Sequence, residues 1–286
     1  MIQITAAPSL NPLTGGWEGV WGRADGGQPP RAVLDRGGRL SSINPGPPPS
    51  PSANLILLGT VHGDPQGYER AWKLLDHFRP EIVTVEISPF SVRYRGRAER
   101  RWQKLFNQAL AELPPGAREH LALRRIAAQV ALPFEYRVAR DWGQRYGIPV
   151  KPLDLSGPAR RHLPRYGKEL LSPANLKALL QTPDGSLEDF VTGEFSRARR
   201  SLDGQVSRLP LFKDKEARER ECFLARRLRR LAASGARLAH LGGWEHLPSR
   251  SDGAGLAHLL NDLNPGLFLL NQGDHLPARA ERNKFR

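Results

Sequence analysis

Five short apolar runs, separated by stretches of helical periodicity, constrain the fold of this chain more than any other feature: residues 54–58, 82–86, 149–153, 237–241 and 267–270. Runs this short, without strict alternation, suit strands covered on both faces, and strands joined through helices run parallel because only a long crossover reconnects them. The expected class is α/β, with a largely parallel central sheet flanked by helices and carrying helical inserts. Between the first two runs, Tyr68, Trp72, Leu75 and Phe78 fall near helical spacing and Pro80 stops the turn, so this stretch reads as one βαβ unit. Residues 97–147 hold two or more arginine-rich amphipathic helices broken at Pro114-Pro115-Gly116. A further insert opens at Ser172-Pro173 and runs to about Leu209, and a long helix from about Asp214 to Ala233 closes at Gly235.

The segment before the first run has a different character. Residues 1–53 are rich in glycine and proline and end in Pro45-Gly-Pro-Pro-Pro-Ser-Pro-Ser52, a stiff linker composition. Within them, Gly15-Gly-Trp-Glu-Gly-Val-Trp-Gly22 suits a small β-hairpin, an N-terminal β embellishment. The expected division is therefore 1–53 and a main domain over 54–286.

Several function classes are excluded at this level. Cys222 is the single cysteine, which rules out an internal disulfide framework and any cysteine-rich metal site, so a bound metal must be held by His and carboxylates. Mid-helix among Arg and Glu, Cys222 is also poorly placed as a nucleophile. The apolar runs are far shorter than the roughly 20 residues of a membrane span. The first residues lack the basic and apolar regions of a secretory signal, so the expected location is cytoplasmic. The net charge of +14 attracts nucleic acid or another anionic partner at long range, but the chain carries no zinc finger, aromatic RNA-binding signature or recognition-helix pattern to convert attraction into base reading. Much of the charge is expected on solvated helix faces.

The chemistry-bearing residues gather where apolar runs end. His62 closes Gly59-Thr-Val-His62 after the first run, a place where ligands collect in open α/β sheets. It has three readings there: ligand to a divalent metal, general base, or cap of the following helix. Glu86 closes Val83-Thr-Val-Glu86, and a carboxylate there is paired, metal-bound or solvated. Arg93 and Tyr94 follow it closely enough to hold a substrate carboxylate or carbonyl. Gly243-Trp-Glu-His246 repeats the strand-then-Gly-x-x-His order after 237–241. Two histidines and one carboxylate from strand ends form a common ligand set for a catalytic divalent ion. Glu135, on a helix, and Asp154, after the run 149–153, are further candidates with an alternative reading as surface charges. Arg220 is a weaker one. His240, inside a strand, reads foremost as a core or supporting group, and His275 as a loop residue.

These elements together resemble the TraB/Tiki-type superfamily, with its erythromycin-esterase-like and ChaN-like relatives. The resemblance rests on the strand leading to Gly59-Thr-Val-His62, on Arg79-Pro-Glu-Ile-Val-Thr-Val-Glu86 and on Gly243-Trp-Glu-His246. Glu135–Ala139, Tyr146–Val150 with Asp154, and Glu219-Arg220-Glu221 fall between them in the family's order, so it covers about residues 54–250. It implies an α/β fold with helical inserts and a metal-dependent peptidase acting on a peptide or small acyl substrate. It further implies a divalent ion (Mn²⁺, Co²⁺ or Zn²⁺) on His62, Glu86 and His246, with Glu135 moving a proton and Arg93 stabilising the oxyanion. The alternatives are a metal-free esterase-like hydrolase and a non-catalytic protein gripping an anionic partner through its basic helices.

Overall fold

The structure, a computed structural model, describes residues 53–205, 215–248, 253 and 255–276. The chain divides after Gly46, and all described residues belong to the unit spanning Pro47–Arg286. The expected hairpin at 15–22, the linker at 45–52 and the tail of the insert at 206–209 lie outside the described residues.

Five parallel strands form one sheet: β1 (Leu55–Thr60), β2 (Ile82–Val85), β3 (Val150–Pro152), β4 (Leu238–Gly243) and β5 (Gly266–Leu269), in the order β3-β2-β4-β1-β5. The fold is thus α/β with an all-parallel sheet flanked by helices, as the apolar runs imply. β1 is buried along its whole length, as expected for a strand paired on both sides. β3 and β5 are the edges. β3 is short and ends in Pro152, where a missing N–H is tolerated, and β5 leaves Leu267 exposed.

Two features of the sheet go beyond what the apolar runs show. β1 and β2 do not pair directly, because β4, from nearly 180 residues later in the chain, is inserted between them. Glycines 59, 242 and 243 also lie within strands instead of turning the chain after them. Gly59 is needed for packing: a Cβ there would come 2.1 Å from Leu247 Cδ1 and 3.0 Å from Trp244 Cα. The segment after β4 can therefore fold back over the end of β1.

Nine helices accompany the strands among the described residues. α1 (Gly67–Phe78) packs Ala71, Leu74, Leu75 and Phe78 into the main core and ends where Arg79 adopts a left-handed conformation ahead of Pro80. α2 (Pro89–Ala111) starts earlier than its arginine-rich pattern suggests, because Ser88 accepts from the Ser91 N–H and Pro89 occupies the first turn. α3 (Leu121–Val130) and α4 (Phe134–Tyr146) follow, then α5 (Ser156–Glu169), α6 (Pro173–Leu179), α7 (Leu187–Leu202), α8 (Lys215–Ala232) and the short α9 (Leu256–Leu259). The sheet and helices α1, α4, α7 and α8 enclose the main core. A second core, built on Trp102, Phe106, Leu123, Leu163 and Leu176, joins α2, α3, α5 and α6. That second core makes the inserts a body with its own packing.

Candidate functional site

The strand order decides which side chains meet. With β4 between β1 and β2, the carboxyl ends of three adjacent strands deliver His62, Glu86 and His246 to one place. A Cβ built on Gly243 would lie 3.6 Å from His62 Nε2, 3.8 Å from Glu86 Oε2 and 3.8 Å from His246 Cδ2. All three residues therefore face the same backbone point, and the convergence expected from the repeated Gly-x-x-His order is present.

Glu86 is the hub. Its backbone N–H donates to Leu241 O at 2.9 Å, extending the β2–β4 ladder by one residue. Its Oε2 accepts from the Gly243 N–H at 2.8 Å and lies 2.8 Å from His246 Nε2. Its Oε1 pairs with Arg220, whose Nε and Nη2 also grip Asp154 at 2.7 and 2.8 Å. The side chain is 4% exposed, and such a charge persists only with this many partners. Burial alone would raise its pKa, but His246 and Arg220 hold it well below the usual carboxylate range.

Each histidine has a glutamate behind it. His62 Nδ1 donates to Glu135 Oε1 at 2.6 Å, and Thr60 donates to the same oxygen at 3.0 Å. His246 Nδ1 lies 2.7 Å from Glu221 Oε1. Both glutamates are buried and come from helices, Glu135 from the first turn of α4 and Glu221 from α8. A carboxylate on Nδ1 fixes the ring and its tautomer and turns Nε2 the other way, here towards Glu86 and Gly243. Burial works against charging either ring. Glu135, with Glu86 farther off, nevertheless raises the His62 pKa, and Glu221 with Glu86 raises that of His246 well above the ordinary value.

His240 lies one layer below on β4, 2% exposed. Its Nδ1 meets Thr84 Oγ1 at 2.9 Å, and burial lowers its pKa to about 4, so the ring is neutral. Arg220 is raised instead, since Glu86 and Asp154 outweigh its burial.

Of the residues expected from sequence, His62, Glu86, His246, Glu135 and Asp154 are brought together, and so is the weaker candidate Arg220. Arg93 is exposed on α2 and enters none of these ion pairs among the described residues; the guanidinium at the centre belongs to Arg220. Glu135 stands behind His62. His275 ends a 3-10 turn after β5 (Leu270–His275), consistent with a loop residue. Glu221, Thr60 and Thr84 are supporting residues the sequence does not single out. Glu221 stands beside Arg220 in the sequence, and Thr60 and Thr84 stand inside the motifs that end in His62 and Glu86.

Among the described residues no three His, Cys, Asp or Glu side chains are spaced, as they stand, around a metal ion. The donor chemistry does fit one. Two imidazoles, each with a carboxylate at Nδ1, and the carboxylate of Glu86 face one point, where His246 Nε2 now lies 2.8 Å from Glu86 Oε2. No helix of the described residues is long and apolar enough to cross a membrane. No family model, curated protein or solved structure matches the chain.

Proposed function

We propose that the chain is a hydrolase that cleaves a peptide or related acyl bond with an activated water, and that His62, Glu86 and His246 hold a divalent cation for it. The observation that carries this reading is the paired arrangement of the two rings: Glu135 on His62 Nδ1 and Glu221 on His246 Nδ1, both with Nε2 turned towards Glu86. Such carboxylate–histidine pairs are how proteins orient imidazoles as ligands. The TraB/Tiki resemblance points the same way. When bound, Mn²⁺, Co²⁺ or Zn²⁺ supplies a Lewis acid that brings the pKa of water towards about 7.

The chain's own residues then divide the work. His62, a quarter exposed at its side chain, is the ring that meets solvent and substrate. Glu135 acts through it, keeping Nδ1 protonated and accepting part of any positive charge the ring acquires. Arg220, fixed by Asp154, limits how far Glu86 can gather a proton and offers positive charge to a developing oxyanion. His246 is positioned by Glu221.

The test is a metal-reconstituted hydrolysis assay on a panel of peptides and acyl esters, run with metal analysis on wild type, His62→Ala and His246→Ala. Loss of turnover and of metal in both variants is expected; unchanged turnover and metal content would sink the assignment. A second reading, a metal-free hydrolase, is favoured by the direct 2.8 Å approach of His246 Nε2 to Glu86. Full activity after exhaustive chelation would select it.

A further inference from the structure

The outward face of α2 has no part in the site above, and its charges are of one sign. The helix packs Ala98, Trp102, Phe106 and Ala109 into the second core. Arg93, Arg97, Arg100 and Lys104 follow one another at spacings of four, three and four residues, which places them in a single row on the opposite, exposed face. At 1.5 Å per residue the row is about 16 Å long. Asn107, three residues beyond Lys104, extends it to the following 3-10 turn (Ala117–Glu119), because its Oδ1 accepts from Arg118 Nη2 at 3.0 Å. Glu99 is the only acid between Pro89 and Ala111, and its position in the helical repeat lies off the row.

Exposed arginines elsewhere on the molecule have carboxylates beside them. Arg140 pairs with Asp141, Arg161 with Glu216 and Arg229 with Asp262. A solvated helix face is commonly laid out with acids and bases three or four residues apart, which attract each other. The α2 row is laid out the other way. None of its four cations enters an ion pair among the described residues, and neighbouring members repel each other at the expense of the helix. Anions from outside the chain would relieve that repulsion.

We propose that the α2 row is a docking surface for the phosphate backbone of a duplex nucleic acid, bound without regard to sequence. A straight row of cations suits a linear polyanion, which presents a phosphate wherever the row meets it. Three of the four cations are arginines, whose planar forks bind phosphate through two hydrogen bonds at once. The row and the amides along it, Gln103, Asn107 and Gln108, include no aromatic or large apolar side chain. The face thus has no platform for single-stranded bases, no wedge for a membrane and no apolar anchor for a protein partner. The proposal stands apart from the hydrolysis reading, since it needs none of His62, Glu86 or His246.

The experiment measures binding of the full chain to a short, labelled DNA duplex of random sequence by fluorescence anisotropy over a range of salt concentrations. Four phosphate contacts give a slope of about −3.6 for log affinity against log salt. Arg97→Gln/Arg100→Gln is expected to bring the slope to about −2 and to weaken binding by roughly tenfold or more at low salt. Arg97→Lys/Arg100→Lys, which keeps the charge, is expected to retain the wild-type slope. Arg140→Gln/Arg229→Gln removes the same charge from exposed sites off the row and is expected to retain it too. Equal losses in the two glutamine pairs would assign the binding to overall charge and overturn the proposal, as would a wild type that binds no duplex at low salt. Equally tight binding of polyglutamate, or of vesicles containing phosphatidylserine, would overturn it in favour of an acidic protein or a membrane.

Discussion

His62 and Glu135 are 73 residues apart in the chain and meet at 2.6 Å, the imidazole at the end of β1 held by a carboxylate in the first turn of α4. Thr60, two residues before His62, donates to the same oxygen at 3.0 Å, so α4 is tied to the end of the central strand by two donors converging on one acceptor.

Replacing Glu135 with Gln keeps size and one acceptor but removes the charge. Turnover in the metal-reconstituted assay is expected to fall about ten- to a hundred-fold, the range seen when a supporting partner of a ligand is lost. The His62 pKa, followed by NMR titration, is expected to drop. An unchanged His62 titration would show that Glu135 does not govern this ring.

Arg220 neutralises two carboxylates at once, and removing it leaves Glu86 and Asp154 facing each other. Arg220→Met is expected to destabilise the fold by about 3 kcal/mol in chemical denaturation. Arg220→Lys keeps the charge but not the planar fork, and its loss is expected to be intermediate. Equal stabilities for Met and Lys would mean that charge contributes nothing at this position.

Gly242→Ala tests the crowding over β4. The added methyl meets Glu86 Oε2 at 2.8 Å and His240 Nε2 at 3.1 Å, and Glu86 is anchored to Gly243, His246 and Arg220. A stability cost of about 1–3 kcal/mol is expected, with a much larger proportional loss of function, because what moves is the hub of the site. Wild-type turnover in this variant would show that Glu86 has room to spare.

The His240 ring sets a pH dependence of known sign. Its pKa is about 4 in the fold against an ordinary 6.5, so the unfolded chain takes up the proton first as acid is added. The stability contributed by the neutral ring is complete above about pH 6.5 and is lost as pH falls towards 4. His240→Gln lacks this loss, so its stability deficit relative to wild type is expected to narrow by about 2 kcal/mol between pH 7.5 and pH 5 in urea unfolding. A deficit independent of pH would contradict a neutral buried imidazole.

The second core predicts a division of stability. Trp102 is fully buried between α2, α3 and α5, and Trp102→Ala is expected to cost about 3–5 kcal/mol. Amides of α2, α3, α5 and α6 are expected to exchange faster in that variant while those of β1 and β4 keep their protection. Uniform loss across both regions would show one cooperative unit.

The strands were legible because a segment covered on both faces needs only apolar side chains, and such runs stand out in any sequence. Their ends were not. Gly59 and Gly242-Gly243 look like turn residues, yet their backbones pair as strand, and the missing side chains serve the close approach of Leu247, Trp244 and Glu86. The α5 helix carries Pro158 and Pro164 and is held by Ala159 and Leu163 in the second core, a tertiary effect that local preference hides. His62, Glu86 and His246 were readable because each lies at the end of an apolar run or a few residues beyond it. Glu221 was not, since it is one acid in a helix full of charge and only the folded contact with His246 distinguishes it. Proximity in sequence pointed to Arg93 as the partner near Glu86, whereas the fold supplies Arg220 from more than 130 residues away.

The position of β4 has a consequence for how such a chain is made. The strand that fills the gap between β1 and β2, and the histidine that follows it, are synthesised long after β1 and β2 themselves. Until then β1 and β2 have no common neighbour, and His62 and Glu86 have nothing to hold them together. A chain truncated before residue 238 therefore lacks both the strand that joins β1 to β2 and the point where His62, Glu86 and His246 gather, so the continuous sheet and the candidate site form together.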